Sequence, residues 1–275
     1  MAAPLLGKTF FVTGATDGIG AHTAQRLAAQ GATVLVHGRN PGRVEQAVAA
    51  VERAGSGSGG APPRGFVADL ASLAQVRRLA EEVAASSPSV DVLINNAGVF
   101  EQQLRKSEDG FELTWAVNVA APFLLTACLL EAVRERVVVV SSISAASSID
   151  WGNLQQERGF SAHNAYSLSK LAEQLFTFEL ADRLRAAGSP VTCNCLDPGT
   201  VNTKMLSAGW GSIGIPVKEA NYELKAATDP ALAGTSGEYF VGGRIARPPS
   251  IARDKAEQQR LWRLLEEQTG AKWSV

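Results

Sequence analysis

Short apolar runs alternate with amphipathic helical stretches along most of the chain, and this alternation constrains the fold more than any other feature. Lys8–Thr13, Thr33–His37, Phe66–Asp69, Val92–Asn95, Arg136–Ser141 and Val191–Leu196 read as strands. Between them Gly18–Gln30, Pro41–Ala54, Leu73–Ala85, Phe111–Val133 and Ala165–Ala187 read as helices. Strands this short and apolar are buried on both faces, which calls for a parallel sheet covered by helices on each side. The expected architecture is α/β, a doubly wound parallel sheet forming a single domain over residues 1–275. Gly55–Pro63 has the composition of a linker, but it falls between the second helix and third strand and is expected to be a surface loop. A charged helix over 254–268 carries Leu261, Trp262, Leu264 and Leu265. Its apolar stripe suits docking on the body of the domain, with pairing of two copies as the alternative.

Composition narrows the function. The 275 residues hold 26 basic and 27 acidic side chains, a net charge of −1, which argues against a nucleic-acid partner. Cys128, Cys193 and Cys195 include no Cys-x-x-Cys pair, so neither a disulfide framework nor a metal site is expected. The opening ten residues lack a basic segment followed by a long apolar one, and no leader is expected. The longest apolar stretch, Ala116–Leu130, is interrupted by Asn118 and Pro122 and is short of the roughly 20 residues that span a membrane. A soluble, cytoplasmic chain without an integral membrane segment is the expectation.

The first strand runs into Thr13-Gly-Ala-Thr-Asp-Gly-Ile-Gly20. Glycines between a strand and a helix let backbone N–H groups and the positive helix end meet a pyrophosphate. The spacing is G-x-x-x-G-x-G, not the G-x-G-x-x-G of the usual dinucleotide fingerprint. Further along come Asn95-Asn-Ala-Gly98, Asn118, Ser141-Ser142, Tyr166-Ser-Leu-Ser-Lys170 and Asp197-Pro-Gly-Thr-Val-Asn-Thr203. In these segments, over residues 13–203, the chain resembles the short-chain dehydrogenase/reductase family. The resemblance implies a Rossmann fold and a nicotinamide cofactor. It places Gly14, Asp17, Gly18, Ile19, Gly20, Asn96, Ala97, Gly98, Val201 and Thr203 along that cofactor, with Asp69 and Leu70 against the adenine. After the second strand the chain reads His37-Gly-Arg-Asn40, with no carboxylate for a ribose 2′-hydroxyl. Arg39 suits a 2′-phosphate, so NADP(H) is expected over NAD(H), unless Arg39 is simply a solvated loop residue.

Tyr166 and Lys170 lie four apart in a helical stretch and share one face. A tyrosine hydroxyl titrates near pH ~10 unperturbed, and an ammonium one turn away is expected to lower that value. The resemblance makes Tyr166 the proton donor or acceptor, Ser142 the partner of the substrate oxygen, and Asn118 the support of Lys170 through a water and of the helix that carries it. Lys170, with Tyr166, would also hold the nicotinamide ribose. Ser141 competes with Ser142 for its role. The alternative for Asn118 is that it satisfies a buried backbone group and needs no catalytic function.

The stretch Asp150–Phe160, the segment Tyr166–Leu184, Ser236–Phe240 and Leu261-Trp262 look like the retinol-dehydrogenase-like branch. That likeness implies a small apolar alcohol or carbonyl substrate such as a retinoid, sterol or polyprenoid. A substrate lid is expected over about 204–228, with Met205, Leu206, Trp210 and Ile213 lining an apolar pocket or packing as ordinary core. Dimers or tetramers through Phe111–Val133 and Ala165–Ala187 are a further expectation from the resemblance. Competing functions on the same framework are a non-catalytic NADP(H)-binding sensor or scaffold and, less suited to the 72 residues after Thr203, a nucleotide-sugar epimerase or dehydratase.

Overall fold

A computed structural model describes residues 3–275, so Met1 and Ala2 of the opening segment lie outside the described residues. Eight strands form one sheet in the order β3-β2-β1-β4-β5-β6-β7-β8. They are β1 (Thr9–Val12), β2 (Thr33–Gly38), β3 (Arg64–Val67), β4 (Val90–Asn95), β5 (Val133–Val140), β6 (Thr192–Leu196), β7 (Tyr239–Val241) and β8 (Arg244–Ile245). All pair in parallel except β8, which runs antiparallel to β7. From β1 the chain winds outward through β2 and β3, then returns to start the other half at β4. The crevice beyond the carboxyl ends of β1 and β4 is therefore the switch point, where doubly wound sheets bind ligands.

Alternation along the central strands feeds two cores. Phe11, Leu93, Val137 and Val139 face one side of the sheet, and Phe10, Val12, Ile94, Val138 and Val140 face the other. The second side is covered by α1 (Gly18–Ala29) and α2 (Pro41–Ala54). On the first side lies α3 (Leu73–Ser86) with the long helices described below. Asp17, Asn40 and Ser72 cap these three helices by accepting from N–H groups of their first turns. Gly55–Pro63 is a loop, as expected.

The helix expected over Phe111–Val133 is broken. The Glu112 carboxylate accepts from Thr114 N (2.9 Å) and Trp115 N (2.8 Å), which starts the helix at α4 (Leu113–Trp115). A wide π turn follows over Ala116–Ala120, then α5 (Ala121–Leu129). Pro122 has no N–H to offer the Asn118 carbonyl, so an ordinary helical bond is missing at this turn. Val133 belongs to β5, where it pairs with Val90.

The longest helix among the described residues is α6 (Ala162–Ala186), capped by Ser161. After β6 come α7 (Lys204–Gly209) and α8 (Tyr222–Thr228), then the short strands β7 and β8, which apolar patterning does not mark. The last helix, α9 (Lys255–Thr269), docks on the body as its stripe suggested. Trp262 packs on Phe123 (ring centroids 5.0 Å) and is followed by Trp273, 4.9 Å from the same phenylalanine. Both rings also pack on Phe176 of α6, so α9 and the chain end lie against α5 and α6. Among the described residues no helix is long and apolar enough to cross a membrane.

Candidate active site

The glycine turn is locked from beneath. Thr13 Oγ1 accepts from Asn96 N and Ala97 N, both at 3.0 Å, and Asn96 Nδ2 donates to Thr13 O at 2.7 Å. Asn96 thus braces the turn. Gly14 and Gly18 have positive φ (66° and 57°). A Cβ on Gly14 would lie 2.9 Å from Ala97 Cα, and one on Gly20 would lie 2.8 Å from Gly14 O. His37 closes the brace: its Nδ1 accepts from Gly14 N (3.2 Å) and its Nε2 donates to Ala68 O (3.1 Å). One neutral tautomer satisfies both bonds, and burial pushes the imidazole down to about 4. Sequence reasoning treated His37 as a strand residue only.

Above this turn lies a cavity of about 420 Å³. Of the expected residues, Gly14, Asp17, Gly18, Ile19 and Gly20 line it from the turn. Arg39, Asp69 and Leu70 line its β2–β3 end, and Asn96, Ala97, Gly98, Tyr166, Lys170 and Thr203 its other end. Val201 is buried instead and bridges to Ile215. Arg43, Lys204 and Met205 also reach the cavity, unmarked as cofactor contacts by sequence. Arg43 could have been found, since it stands four residues beyond Arg39 on the first turn of α2. The set fits a dinucleotide phosphate: a Cβ-free backbone at a helix start and two arginines with no carboxylate at the end of β2. Asp17 caps α1 through Gly18 N (2.9 Å) and forms an ion pair with Lys204; this pair, with the Gly18 N–H and Arg43, holds its carboxyl below the usual range against the opposing effect of burial.

The second group of residues centres on α6. Tyr166, Ser169, Lys170 and Glu173 turn inward and are buried. Lys170 Nζ donates to Val140 O (2.8 Å) and Glu173 Oε1 (2.9 Å), and lies 5.4 Å from the centroid of the Tyr166 ring. The two serines separate by role. Ser141 Oγ donates to Lys170 O (2.8 Å) and accepts from Gln174 Nε2 (3.2 Å), tying β5 to α6. Ser142 Oγ accepts from Ser144 N at 3.0 Å and acts on the Tyr166 phenol, pulling its pKa down. Asn118 reaches Val99 through both its Oδ1 (2.8 Å) and its Nδ2 (3.1 Å), and donates to Ser169 Oγ (3.0 Å). Ser169 in turn donates to Tyr166 O at 2.7 Å. Asn118 therefore acts on backbone and on α6, and makes no direct bond to Lys170.

The expected lowering of Tyr166 by Lys170 is outweighed. Burial raises the phenol, Lys170 and Ser142 pull it down, and Glu173 and Asp197 push it up; the net direction is upward. Glu173 was not singled out by sequence. Burial raises its carboxyl to about 7 against the pull of Lys170.

Aromatic rings close the group on the solvent side. Trp210, just beyond α7, lies 5.3 Å from Tyr166, 5.1 Å from Phe100 and 5.1 Å from His163, centroid to centroid. His163 stands one helical turn before Tyr166, a spacing legible in sequence, and its Nε2 meets Gly209 O at 3.1 Å. Ile213 departs from expectation: it is 71% exposed, on a turn that Asn202 ties back through Gly214, and it lines no pocket. Met205 lines the cofactor cavity, and Leu206 is half-buried.

Comparison with known proteins converges on one family. The family model described as short chain dehydrogenase matches residues 8–210. Retinol dehydrogenase 14 of Mus musculus is 37% identical over 96% of this chain and 86% of its own. Polyprenol dehydrogenase of Mus musculus is 38% identical over 94% and 83%. Among solved structures, an uncharacterized protein from Mycobacterium Paratuberculosis superposes with a TM-score of 0.83 at 31% identity, covering 100% of this chain and 99% of the other. A short chain dehydrogenase from Burkholderia cenocepacia J2315 in complex with NADP gives 0.68 at 26% identity, covering 87% and 98%. The chain belongs to the short-chain dehydrogenase family, in the branch that resembles retinol dehydrogenases, a family of oxidoreductases that use a nicotinamide cofactor.

Proposed function

We propose that the chain is an NADP(H)-dependent oxidoreductase that exchanges hydride between the nicotinamide and an apolar alcohol or carbonyl. The observation that carries this reading is the meeting of the Tyr166–Lys170 pair, with Ser142 acting on the Tyr166 phenol, with the inner end of the glycine-turn cavity. Bound there, the reduced nicotinamide supplies the hydride. Tyr166 gives the proton to the substrate oxygen, Ser142 holds that oxygen by a hydrogen bond, and Lys170 carries the charge that steadies the phenolate. Asn118 positions α6 through Ser169. Arg39, supported by Arg43, selects the 2′-phosphate.

The rings of Phe100 and Trp210 against the Tyr166 ring, with His163 packed on both of them, support an apolar substrate. The relatives named for retinol and polyprenol support the same class. In this reading residues 204–228 are the lid, and Trp210 swings off Tyr166 when substrate enters. Where copies associate, they use surface that α9 leaves free, and sedimentation of the whole chain checks it.

The test is NADPH consumption with a panel of apolar aldehydes, ketones and quinones. Tyr166→Phe is expected to lower turnover about 10³-fold while leaving NADPH affinity within a small factor. Tight NADPH binding without turnover on any compound would favour a nucleotide-binding sensor instead.

A further inference from the structure

Lys170 and Glu173 form an ion pair one turn apart on α6, with 4% and 3% of their side chains exposed. An ammonium has three donors. Two are spent on Val140 O and Glu173 Oε1, and the third is left for the cavity. The other carboxylate oxygen, Oε2, is buried without a hydrogen-bond partner. A half-satisfied carboxylate in the interior has no packing reason to be ionised, because burial penalises its charge and only one of its oxygens is compensated. It stands where it can do one thing, which is to cancel the positive charge of Lys170 as seen from Tyr166.

We propose that Glu173 is a positioning residue that sets the charge of the Tyr166–Lys170 pair: ionised, it neutralises the Lys170 ammonium, and protonated, it releases that ammonium's field onto the Tyr166 hydroxyl. The inference rests on the oxidoreductase reading for its purpose, though not for its test. A proton taken up at Glu173 then favours loss of one from Tyr166, and total charge is conserved. The groups around the carboxylate are few. Lys170 and Tyr166 face it from α6, the Cys195 thiol from β6, and Asp197 beyond β6 acts on both Tyr166 and Lys170. From β5 the neighbour of Lys170 is the uncharged carbonyl of Val140. Burial also keeps the Cys195 thiol protonated, so Glu173 and Asp197 are the two carboxyl groups whose charge opposes the phenolate. Glu173 is the one bonded to Lys170. Its carboxyl, raised to about 7, changes charge near neutral pH.

The chain has three tyrosines, so the phenolate absorbance of Tyr166 is obtained by subtracting the titration of Tyr166→Phe. In Glu173→Gln the Tyr166 midpoint is expected to fall by about one pH unit, tenfold more phenolate at a given pH. Glu173→Asp, with its carboxylate drawn back, should fall between the two. In a Lys170→Met background, Glu173→Gln should move the midpoint little, because the ammonium that it uncovers is gone. An unchanged midpoint in folded Glu173→Gln overturns the proposal. So does an equal shift with and without Lys170, which would mark an effect of packing. If Glu173→Gln does not fold, Glu173→Asp decides on its own: a midpoint equal to wild type overturns the proposal. The titration needs neither NADPH nor a carbonyl substrate, so its failure leaves the oxidoreductase reading intact, and absence of turnover leaves the titration result standing.

Discussion

The two walls of the cofactor cavity are built in opposite ways. On the glycine side the backbone itself is the surface, and Thr13, Asn96 and His37 pin it with bonds of 2.7–3.2 Å. On the other side α7 buries none of its residues, and side chains hold it: the Asp17–Lys204 pair, the Thr203 cap and the stack of Trp210 on Tyr166. Few buried contacts and exposed ion pairs mark an element that opens at little cost, while a backbone braced on three sides does not open. The difference suits the proposed reading, in which one wall binds and the other admits.

The comparison is broken most severely through His37. Its folded pKa of about 4 lies below the unfolded value of about 6.5, so the unfolded chain takes up the proton first. The stability this residue contributes is complete above pH ~6.5 and falls by about 3 kcal/mol as pH drops toward 4. Unfolding of wild type against His37→Gln across that window isolates the effect from Glu173 and Glu223, whose raised carboxyls act with the opposite sign. A parallel pH dependence in the two proteins would refute the brace.

Next in size is a matched pair of glycines. Gly20→Ala should destabilise by about 2 kcal/mol and abolish NADPH binding, since the new Cβ meets the Gly14 carbonyl and Asn96. Gly209→Ala on the proposed lid should change stability by about 0.5 kcal/mol or less, because its Cβ would rest 3.3 Å from the edge of the Phe100 ring, which can give. Equal losses in thermal unfolding would erase the distinction between the walls. Arg39→Ala should weaken NADPH about tenfold and leave NADH unchanged in equilibrium binding. Equal weakening of both would remove its 2′-phosphate role. Smallest is Lys204→Ala: the pair is exposed, so NADPH release should quicken about twofold in stopped flow. No change there would leave the aromatic stack as the lid's main hold.

The same division explains what could be read in the sequence. Glycine is the one residue that leaves its position empty, so Gly14, Gly18 and Gly20 announce the turn wherever they follow a strand. Tyr166 and Lys170 are tied by the period of a helix, which spacing records. The pairing of Lys170 with Glu173 also follows the helical period, yet a lysine and glutamate three apart describe any solvated helix face as well. Burial separates the two cases, and burial is a property of β5 and β6 packing on α6. The breaks around Asn118 were hidden because Ala, Val and Leu dominate both the wide turn and α5, and periodicity does not report a helix that changes its pitch. Strands β7 and β8 escaped notice because three and two residues are too few to show alternation.

The wide turn at Ala116–Ala120 carries a consequence for the history and engineering of this segment. A π turn holds one residue more than the α-helix it interrupts. Exchanging a side chain leaves that count intact, but deleting a single residue between Trp115 and Ala121 restores the ordinary pitch. Each residue of an α-helix turns by about 100°, so such a deletion would rotate Asn118 away from Val99 and Ser169 while α5 kept its seat. Length here is held more tightly than identity. Variants with substitutions in this stretch are therefore expected to outnumber those with a lost residue in any library selected for folded, nucleotide-binding protein.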